Sequence, residues 1–310
     1  MNRKAFWGRL ALWGTAFLWG TSFVIIKSAL SSFSVLWLLA LRFLVAAALL
    51  ALFAGPRLKT LDRRTLLGSV LMGLSLTAAY LFQTYGLVYT TPGKNAFLTA
   101  TYCVLVPFLA WAVYRRRPKG FHVAASVLCL TGVGLVSLDG FDGGGLRGDM
   151  LTLVCGLFYA LQIIVMEHYL SGGQSSAAAV SAVQFGVCAL VFLFLALLFE
   201  PFPAAAPLPA WLSLVYLGAV VTGLCFYLQA VGLSVTPSAT ASVILVFESV
   251  LGALTSLLFY GEKLSARLGL GFVLIFLSVP LAEAGEELLG KLRRRGAAPA
   301  SSRARGSTRR

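Results

Sequence analysis

One acidic side chain of this sequence lies deep inside a long apolar run. Glu248 is flanked by Val246, Phe247, Val250 and Leu251. A carboxylate near the centre of a bilayer costs several kcal/mol, so it is expected to face a cavity or a partner. There it would bind an amino or other cationic group of a solute, or exchange a proton. The alternative interpretation is a protonated or hydrogen-bonded carboxyl that only joins neighbouring helices.

A basic residue, Arg42, also falls inside an apolar run. It could be the counter-ion of Glu248 or bind the carboxylate of a solute. We favour a third interpretation, in which its long stem lets the guanidinium snorkel to the membrane interface. The other acidic residues are expected in loops or tails: Asp62, Asp139, Asp142, Asp149, Glu167, Glu200, Glu262, Glu283, Glu286 and Glu287.

Two glutamines occur in the same short pattern, Q-x-x-G-L, which begins at Gln83 and again at Gln229. Their amides could bind a solute across a symmetric site. They could equally bond to each other or to a backbone carbonyl, worth on the order of 1 kcal/mol. The repeated pattern indicates that the two halves of the chain share an origin, which is not itself evidence of a function.

Further candidates for a solute path are polar or aromatic. Asn95 follows a Thr-Pro-Gly-Lys sequence and is placed to cap a helix, with contact to a solute as the alternative. Aromatic faces within apolar runs could stack on a ring-bearing or cationic solute, although such residues more often pack in a core. These aromatic candidates are Trp19, Tyr80, Tyr102, Tyr159 and Tyr227.

The elements that must position these residues are membrane helices. Hydrophobic residues make up 59% of the 310 residues and charged residues 12%, about half the ~25% charge of soluble domains. We predict an all-α membrane protein with ten transmembrane helices. The predicted spans are Leu10–Ile26, Val35–Phe53, Leu66–Leu87, Ala96–Val113, His122–Leu138, Met150–Met166, Val180–Phe199, Trp211–Leu233, Ala241–Phe259 and Leu268–Leu281.

The chain is internally duplicated. Each Q-x-x-G-L pattern is followed by a Thr-Pro break, and Pro92 and Pro237 are 145 residues apart. Other pairs keep the order with a drifting offset, as loop insertions would produce; they are Ala96 with Ala241, Gly8 with Gly148, Trp19 with Tyr159, Gly20 with Ala160, and Arg42-Phe43 with Gln184-Phe185. Because five spans is an odd number, the second copy must enter the membrane inverted. Two inverted five-helix repeats predict alternating access.

Several blocks resemble the drug/metabolite transporter superfamily, specifically its ten-helix EamA-type members. In the first half they are Leu12–Lys27, Leu41-Arg42-Phe43 and Thr91 through Pro107; in the second, Phe247-Glu248-Ser249 and Gly261-Glu262-Lys263-Leu264-Ser265 with Gly269-Leu270-Gly271. Arg115-Arg116-Arg117-Pro118 stands where family members often have a second Gly-Glu. The resemblance implies transport of small metabolites, commonly export of amino acids or related compounds.

The net charge of +14 does not indicate nucleic-acid binding, because most basic residues fall on the side that the positive-inside rule assigns to the cytoplasm. We expect both termini on that side of the cell membrane. The five cysteines form no C-x-x-C pair, which argues against a disulfide framework or a metal site. Catalytic and nucleotide-binding motifs are absent from the sequence, so we predict neither an enzyme nor an ATP-driven pump, and no cofactor.

The predicted organisation is a cytoplasmic segment 1–9, repeats 10–139 and 148–283, and a basic tail 284–310 without fixed structure. The expected activity is secondary or facilitative transport of small metabolites, with a lipid or lipid-linked flippase of the same fold as the alternative. The expected partners are a small-molecule solute and membrane lipids, and a homodimer remains open.

Overall fold

The computed structural model describes residues 3–115, 117–138, 145–170, 176–261, 265–278 and 280–281, and every regular element in these ranges is a helix. The α-helices are α1 (Arg3–Ala29), α2 (Val35–Ala54), α3 (Arg63–Tyr89), α4 (Pro92–Thr99), α5 (Tyr102–Tyr114), α6 (Gly120–Leu138), α7 (Gly145–Leu170), α8 (Ala177–Phe199), α9 (Leu208–Tyr216), α10 (Cys225–Leu233), α11 (Ser238–Leu245), α12 (Phe247–Thr255) and α13 (Ala266–Ser278). A 3₁₀ segment covers Gly55–Thr60, and π-helical segments cover Leu217–Leu224 and Ser256–Tyr260.

Eight helical stretches in the described part of the chain are long and apolar enough to cross a membrane. Four of them combine consecutive elements: α2 with the 3₁₀ segment, α4 with α5, α9 with the first π-helical segment and α10, and α11 with α12 and the second π-helical segment. Two shorter apolar helices, Gly120–Gly132 and Ala266–Ser278, coincide with the predicted fifth and tenth spans. Several helices extend beyond their predicted ends; α1, for example, begins at Arg3.

The core of the molecule lies between the two halves of the sequence. The most extensive helix packing joins α2 to α8 and α3 to α7, and α1 packs on α10 and α12. Large apolar side chains cover the outer surfaces, with Leu52, Leu258 and Phe259 among the most exposed. Exposed apolar surface of this kind is suited to lipid. The halves are therefore interleaved, and neither has a separate core.

The same close helix crossing occurs twice, each time between a helix of one half and a helix of the other. A Cβ on Gly73 would lie 2.8 Å from the carbonyl oxygen of Gln184, and a Cβ on Gly218 would lie 2.9 Å from that of Arg42. Gly73 and Gly218 are 145 residues apart, and Arg42 and Gln184 are a sequence-matched pair. Small residues at these crossings let two backbones approach closely.

A second crossing is also duplicated. A Cβ on Gly86 would lie 3.0 Å from the oxygen of Gly148, and a Cβ on Gly232 would lie 3.0 Å from that of Gly8. Gly86 and Gly232 belong to the two Q-x-x-G-L patterns, and Gly8 and Gly148 are another sequence-matched pair. The duplication in the sequence thus corresponds to duplicated contacts.

The π-helical segment Leu217–Leu224 explains part of the drifting offset between the halves. The matched glycines Gly73 and Gly86 are 13 residues apart, whereas Gly218 and Gly232 are 14 apart. One extra residue would rotate an α-helix by about 100°. A π turn accommodates one extra residue, so Gly218 and Gly232 still face helices of the other half that match those faced by their counterparts Gly73 and Gly86. We expected loop insertions to cause the changes of offset. At this position that expectation is wrong, because the extra residue lies within a membrane helix.

Helix α4 begins differently from the expectation. Its N-cap is Thr91, whose hydroxyl accepts from the backbone N–H of Lys94 at 3.3 Å, and Pro92 occupies the first turn. The prediction that Asn95 caps this helix is wrong, because the helix has already begun at Pro92. Helix α3 has an Asp62 cap outside the apolar span, and the hydrogen bond from Thr65 lowers the pKa of that carboxyl.

The start of α2 is capped by a residue from the other half. One carboxylate oxygen of Glu200 accepts from the backbone N–H groups of Leu36 and Trp37 at 3.0 and 3.2 Å, and the indole N–H of Trp37 donates to the Glu200 carbonyl at 3.0 Å. A carboxylate at a helix N-terminus satisfies free N–H groups and complements the dipole. Residues 262–264, within the block Gly261 to Ser265 that carries the family resemblance, and the tail 284–310 lie outside the described residues.

The crossing at Gly86 provides a test of the packing. In Gly86→Ala the new Cβ would lie 2.4 Å from the Thr152 hydroxyl oxygen and 3.0 Å from the Gly148 carbonyl oxygen. We expect the free energy of unfolding to fall by about 1–3 kcal/mol, measured by thermal or denaturant unfolding of the purified protein in detergent. The control is Gly186→Ala in α8, where no atom lies within 4 Å of a new Cβ. Equal stability of the two variants would contradict the close approach.

Candidate functional site

Two membrane helices are interrupted at matched positions. The fourth span breaks at Ala100-Thr101, between α4 and α5, and the ninth breaks at Val246, between α11 and α12. At each break a backbone N–H bonds three residues back: Val104 to Thr101 at 3.0 Å, and Ser249 to Val246 at 2.9 Å. Thr101 and Val246 are 145 residues apart, the offset of Pro92 and Pro237.

The two breaks bring Tyr102 and Glu248 together. Tyr102 is the first residue of α5 and Glu248 the second residue of α12. The Tyr102 hydroxyl donates to Oε1 of Glu248 at 3.1 Å, and Glu248 is only 3% exposed. This contact joins the halves in the interior, where a buried carboxylate needs a hydrogen-bond donor.

A cavity lies around this contact, and residues from both halves line it. Its lining comprises Trp19, Ser22, Phe23, Ile26, Arg42, Tyr80, Gln83, Thr99, Tyr102, Tyr159, Ile163, Gln229 and Glu248. Eight of the ten sequence candidates are among them. Polar groups that converge in a cavity also lined by aromatic and aliphatic side chains are typical of small-molecule sites.

Arg42 does not snorkel, and the interpretation that we favoured from the sequence is wrong. Its side chain is 1% exposed. Its Nε donates to the Thr222 hydroxyl, its Nη2 donates to the Tyr80 hydroxyl at 3.3 Å, and its guanidinium carbon lies 4.8 Å from the centre of the Tyr80 ring. These partners compensate the buried charge within the protein, so the guanidinium has no need to reach the interface.

Arg42 and Glu248 line the same cavity but form no ion pair within 4.0 Å, although both are described residues. Each is held by neutral partners instead, Arg42 by Thr222 and Tyr80 and Glu248 by Tyr102. An acidic and a basic side chain that are held apart in one cavity can each contact a different group of a bound solute.

The two matched glutamines have different surroundings. Gln83 accepts from the Tyr159 hydroxyl at 2.8 Å and donates to the Thr99 hydroxyl at 3.1 Å. The side-chain oxygen of Gln229 is buried and has no hydrogen-bond partner among the described residues. A buried amide oxygen without a donor is unfavourable by roughly 1–3 kcal/mol, so the side-chain oxygen of Gln229 is an unused acceptor in the cavity lining.

Four of the aromatic candidates line the cavity. The indole N–H of Trp19 donates to the Val221 carbonyl at 2.8 Å, which fixes its ring. Tyr80 contacts Tyr159 edge to face, with ring centres 5.7 Å apart, and Tyr102 contacts Tyr159 at 6.3 Å. Rings held in this way present fixed edges and faces to the cavity.

Two candidates lie away from the cavity. Asn95 is fully buried one turn before Thr99, where its amide donates to the Gln83 carbonyl at 3.2 Å and the Thr152 hydroxyl at 2.8 Å. Tyr227 packs on Phe53, with ring centres 5.5 Å apart. It is two residues from Gln229, so the two side chains point to different sides of α10.

Five lining residues were not expected from the sequence: Ser22, Phe23, Ile26, Thr99 and Ile163. Three of them follow Trp19 at helical spacing, since positions 19, 22, 23 and 26 share one face of α1. That spacing was a usable signal. Thr99 lies immediately before the helix break and carries no distinguishing pattern of its own.

A buried ion pair lies beyond the cavity at the start of α4 and α7. Nζ of Lys94 is 3.9 Å from a carboxylate oxygen of Asp149, and the Thr90 hydroxyl donates to the other oxygen at 3.3 Å. The expectation that Asp149 and Glu167 lie in loops is wrong, since both are buried within α7. Lys27 donates to the carbonyls of Leu87, Val88 and Thr90 nearby.

A family model described as the EamA-like transporter family matches residues 6–138 and again residues 146–282. The chain belongs to the EamA-like transporter family. Two matches to one family model agree with the duplicated crossings and the duplicated helix breaks. Family membership identifies the chain as a membrane transporter and not an enzyme.

Relatives by sequence are also named as transporters. The chain is 35% identical over 145 residues to an uncharacterized transporter of Archaeoglobus fulgidus, covering 47% of this chain and 44% of the relative. It is 27% identical over 177 residues to the uncharacterized transporter YwfM of Bacillus subtilis, covering 57% of this chain and 59% of the relative. The matched segments thus span about half the length of these relatives.

A solved crystal structure has the same fold. It superposes with a TM-score of 0.71 at 19% sequence identity, and the match covers 89% of this EamA-like chain and 96% of the other. At this identity the likeness concerns the arrangement of the helices only.

The Arg42 contacts give a prediction for this site. Thr222→Val keeps the side-chain shape but removes the oxygen that accepts from Nε of Arg42. We expect the free energy of unfolding to fall by roughly 1–3 kcal/mol, because a buried charged donor loses a partner. Thermal unfolding in detergent measures this change. Thr131→Val is the control, since Thr131 is exposed and its hydroxyl donates to the Val127 carbonyl of its own helix. A Thr222→Val variant as stable as that control would refute the role of Thr222.

Proposed function

We propose that this EamA-like protein exports small metabolites, such as amino acids or related compounds, by secondary or facilitated transport. The supporting observation is the cavity at the two helix breaks, which is lined from both halves and contains one buried acidic and one buried basic group. In a membrane, ionisable groups at such positions commonly mark a solute or ion path. Interrupted helices near the midplane are a recurring feature of transporter binding sites.

The proposed topology has ten spans in two inverted five-helix repeats, with both termini on the cytoplasmic side of the cell membrane. The two short apolar helices, α6 and α13, supply the fifth and tenth spans. The duplicated glycine crossings support the repeat, because each crossing joins a helix of one half to a helix of the other. Inverted halves can pack in two mirrored arrangements of similar energy, and alternation between them exposes the cavity to each side in turn.

The Lys94–Asp149 pair bears on this alternation. It links α4 of the first half to α7 of the second. The offset between Pro92 and Pro237 matches Lys94 with Ala239, and the offset between Gly8 and Gly148 matches Asp149 with Arg9. Alanine and arginine cannot form an ion pair, so the opposite end has no equivalent of this link. We propose that this pair closes one end of the path and separates when that end opens.

The substrate class can be tested by a thermal-shift screen of the purified protein against amino acids, nucleosides, sugars, cationic drugs and lipids. A ligand that binds the folded state raises its apparent stability by mass action, by about 2.7 kcal/mol at a hundred times the dissociation constant. Stabilisation by soluble metabolites, followed by saturable flux in proteoliposomes, is the expected result. Stabilisation by lipids alone would favour the flippase instead.

The role of Glu248 gives the sharpest prediction. Glu248→Gln keeps the shape and one acceptor but can neither hold a charge nor release a proton. We expect normal membrane insertion, with flux reduced about 10- to 100-fold, the effect of losing a charged hydrogen bond worth roughly 1.5–3 kcal/mol. We also expect the pH dependence of flux to disappear. Proteoliposome flux across a pH series measures both effects.

The matched control is Asp62→Asn. Asp62 is an exposed N-cap outside the apolar span, and asparagine caps a helix about as well as aspartate. This variant is expected to transport at the wild-type rate. Unchanged kinetics of a folded Glu248→Gln protein at every pH would exclude Glu248 from the transport path.

A further inference from the structure

Two cysteines outside the cavity lie next to each other. Sγ of Cys103 in α5 is 3.8 Å from Sγ of Cys129 in α6, and both thiols are free. No such neighbour is found for the other three cysteines, which are buried at separate places in the described part of the chain: Cys155, Cys188 and Cys225.

The residues of α5 and α6 around this pair are uncharged, and the pair can be reached from the membrane. Cys103 is partly exposed, whereas Cys129 is fully buried beneath it. Residues of α6 beside Cys129 face outward, with Val127 59% and Leu130 52% exposed. Between 102 and 114 and between 120 and 132 the helices carry no Asp, Glu, Lys or Arg. A product formed here must therefore be uncharged, because an isolated charge is strongly disfavoured.

We propose that Cys103 and Cys129 form a dithiol modification site for uncharged trivalent organoarsenicals, which bond to two thiols at once. In the reaction, an arsenic oxide R–As=O and the two thiols form two As–S bonds. Both thiol protons leave with the oxygen as water, and arsenic stays trivalent. The product is neutral. An arsenic atom bonded to both sulfurs keeps them close to their present separation of 3.8 Å, so the two helices need not move far. Cys103, the more exposed residue of the pair, reacts first, and the reaction of Cys129 is then intramolecular.

The bridge is expected to stop transport, a consequence that rests on the proposed function. Cys103 directly follows Tyr102, whose hydroxyl bonds to Glu248 across the halves. A covalent link from Cys103 to α6 fixes the first turn of α5, and with it one partner of that contact. The contact can then no longer rearrange between two packings of the halves.

The test is labelling of the full-length protein in liposomes with phenylarsine oxide, followed by intact mass measurement. We expect wild type to gain a single phenylarsenic unit that survives a monothiol wash and is removed by 2,3-dimercaptopropanol. Cys103→Ala and Cys129→Ala should each lose the wash-resistant label completely. The control, Cys188→Ala, changes a buried cysteine of α8 and should label like wild type. Wild type without the wash-resistant label, or label retained in either variant of the pair, overturns the site.

The flux of a substrate found in the thermal-shift screen tests the consequence separately. The flux of labelled wild type should fall at least about tenfold and recover after 2,3-dimercaptopropanol. Cys103→Ala and Cys129→Ala should stay active in phenylarsine oxide. Full labelling with unchanged flux overturns the restraint of α5 but leaves the dithiol site standing. A wild-type protein that labels but carries no solute under any condition contradicts the proposed function and not the site.

Discussion

A carboxyl group deep among membrane helices imposes the constraint on which much of this structure depends. Glu248 is stabilised by the Tyr102 hydroxyl, and both residues begin helices that restart after a break. A break releases backbone groups from the helical pattern, and such irregular backbone is tolerated at membrane depth where it is buried in protein or lines a cavity. The carboxyl group, the two interruptions and the cavity between the halves are thus parts of one arrangement.

The sequence predicted the helical membrane class, the duplication and most of the polar cavity wall. It could do so because apolar length, ordered landmarks and ionisable residues within apolar runs can be read without knowing how helices pack. Glu248, Gln83 and Gln229 were found in this way, and all three line the cavity. The matched glycine crossings were not predicted, although Gly86 and Gly232 belong to the repeated pattern and the backbone approach requires a small residue in both copies.

The features that could not be predicted from the sequence depend on contacts between residues distant in the chain. Burial of Arg42 follows from Thr222, which is 180 residues away, and no local pattern distinguishes a paired arginine from one that snorkels. Asp149 was misplaced because Lys94, its partner, belongs to the other half. The error at Asn95 was different: Thr91-Pro92 was a readable helix start, since threonine caps and proline favours the first turn.

The π-helical segment Leu217–Leu224 makes the two walls of the cavity unequal. The Val221 carbonyl within it accepts from Trp19, and Thr222 holds Arg42, whereas the matched position of Arg42 in the other half is Gln184. A cavity with exact two-fold symmetry would bind an unsymmetrical molecule equally well in two opposite orientations. Because the inserted residue and the exchange of arginine for glutamine make the two walls different, an unsymmetrical molecule in this cavity would meet different groups in its two orientations.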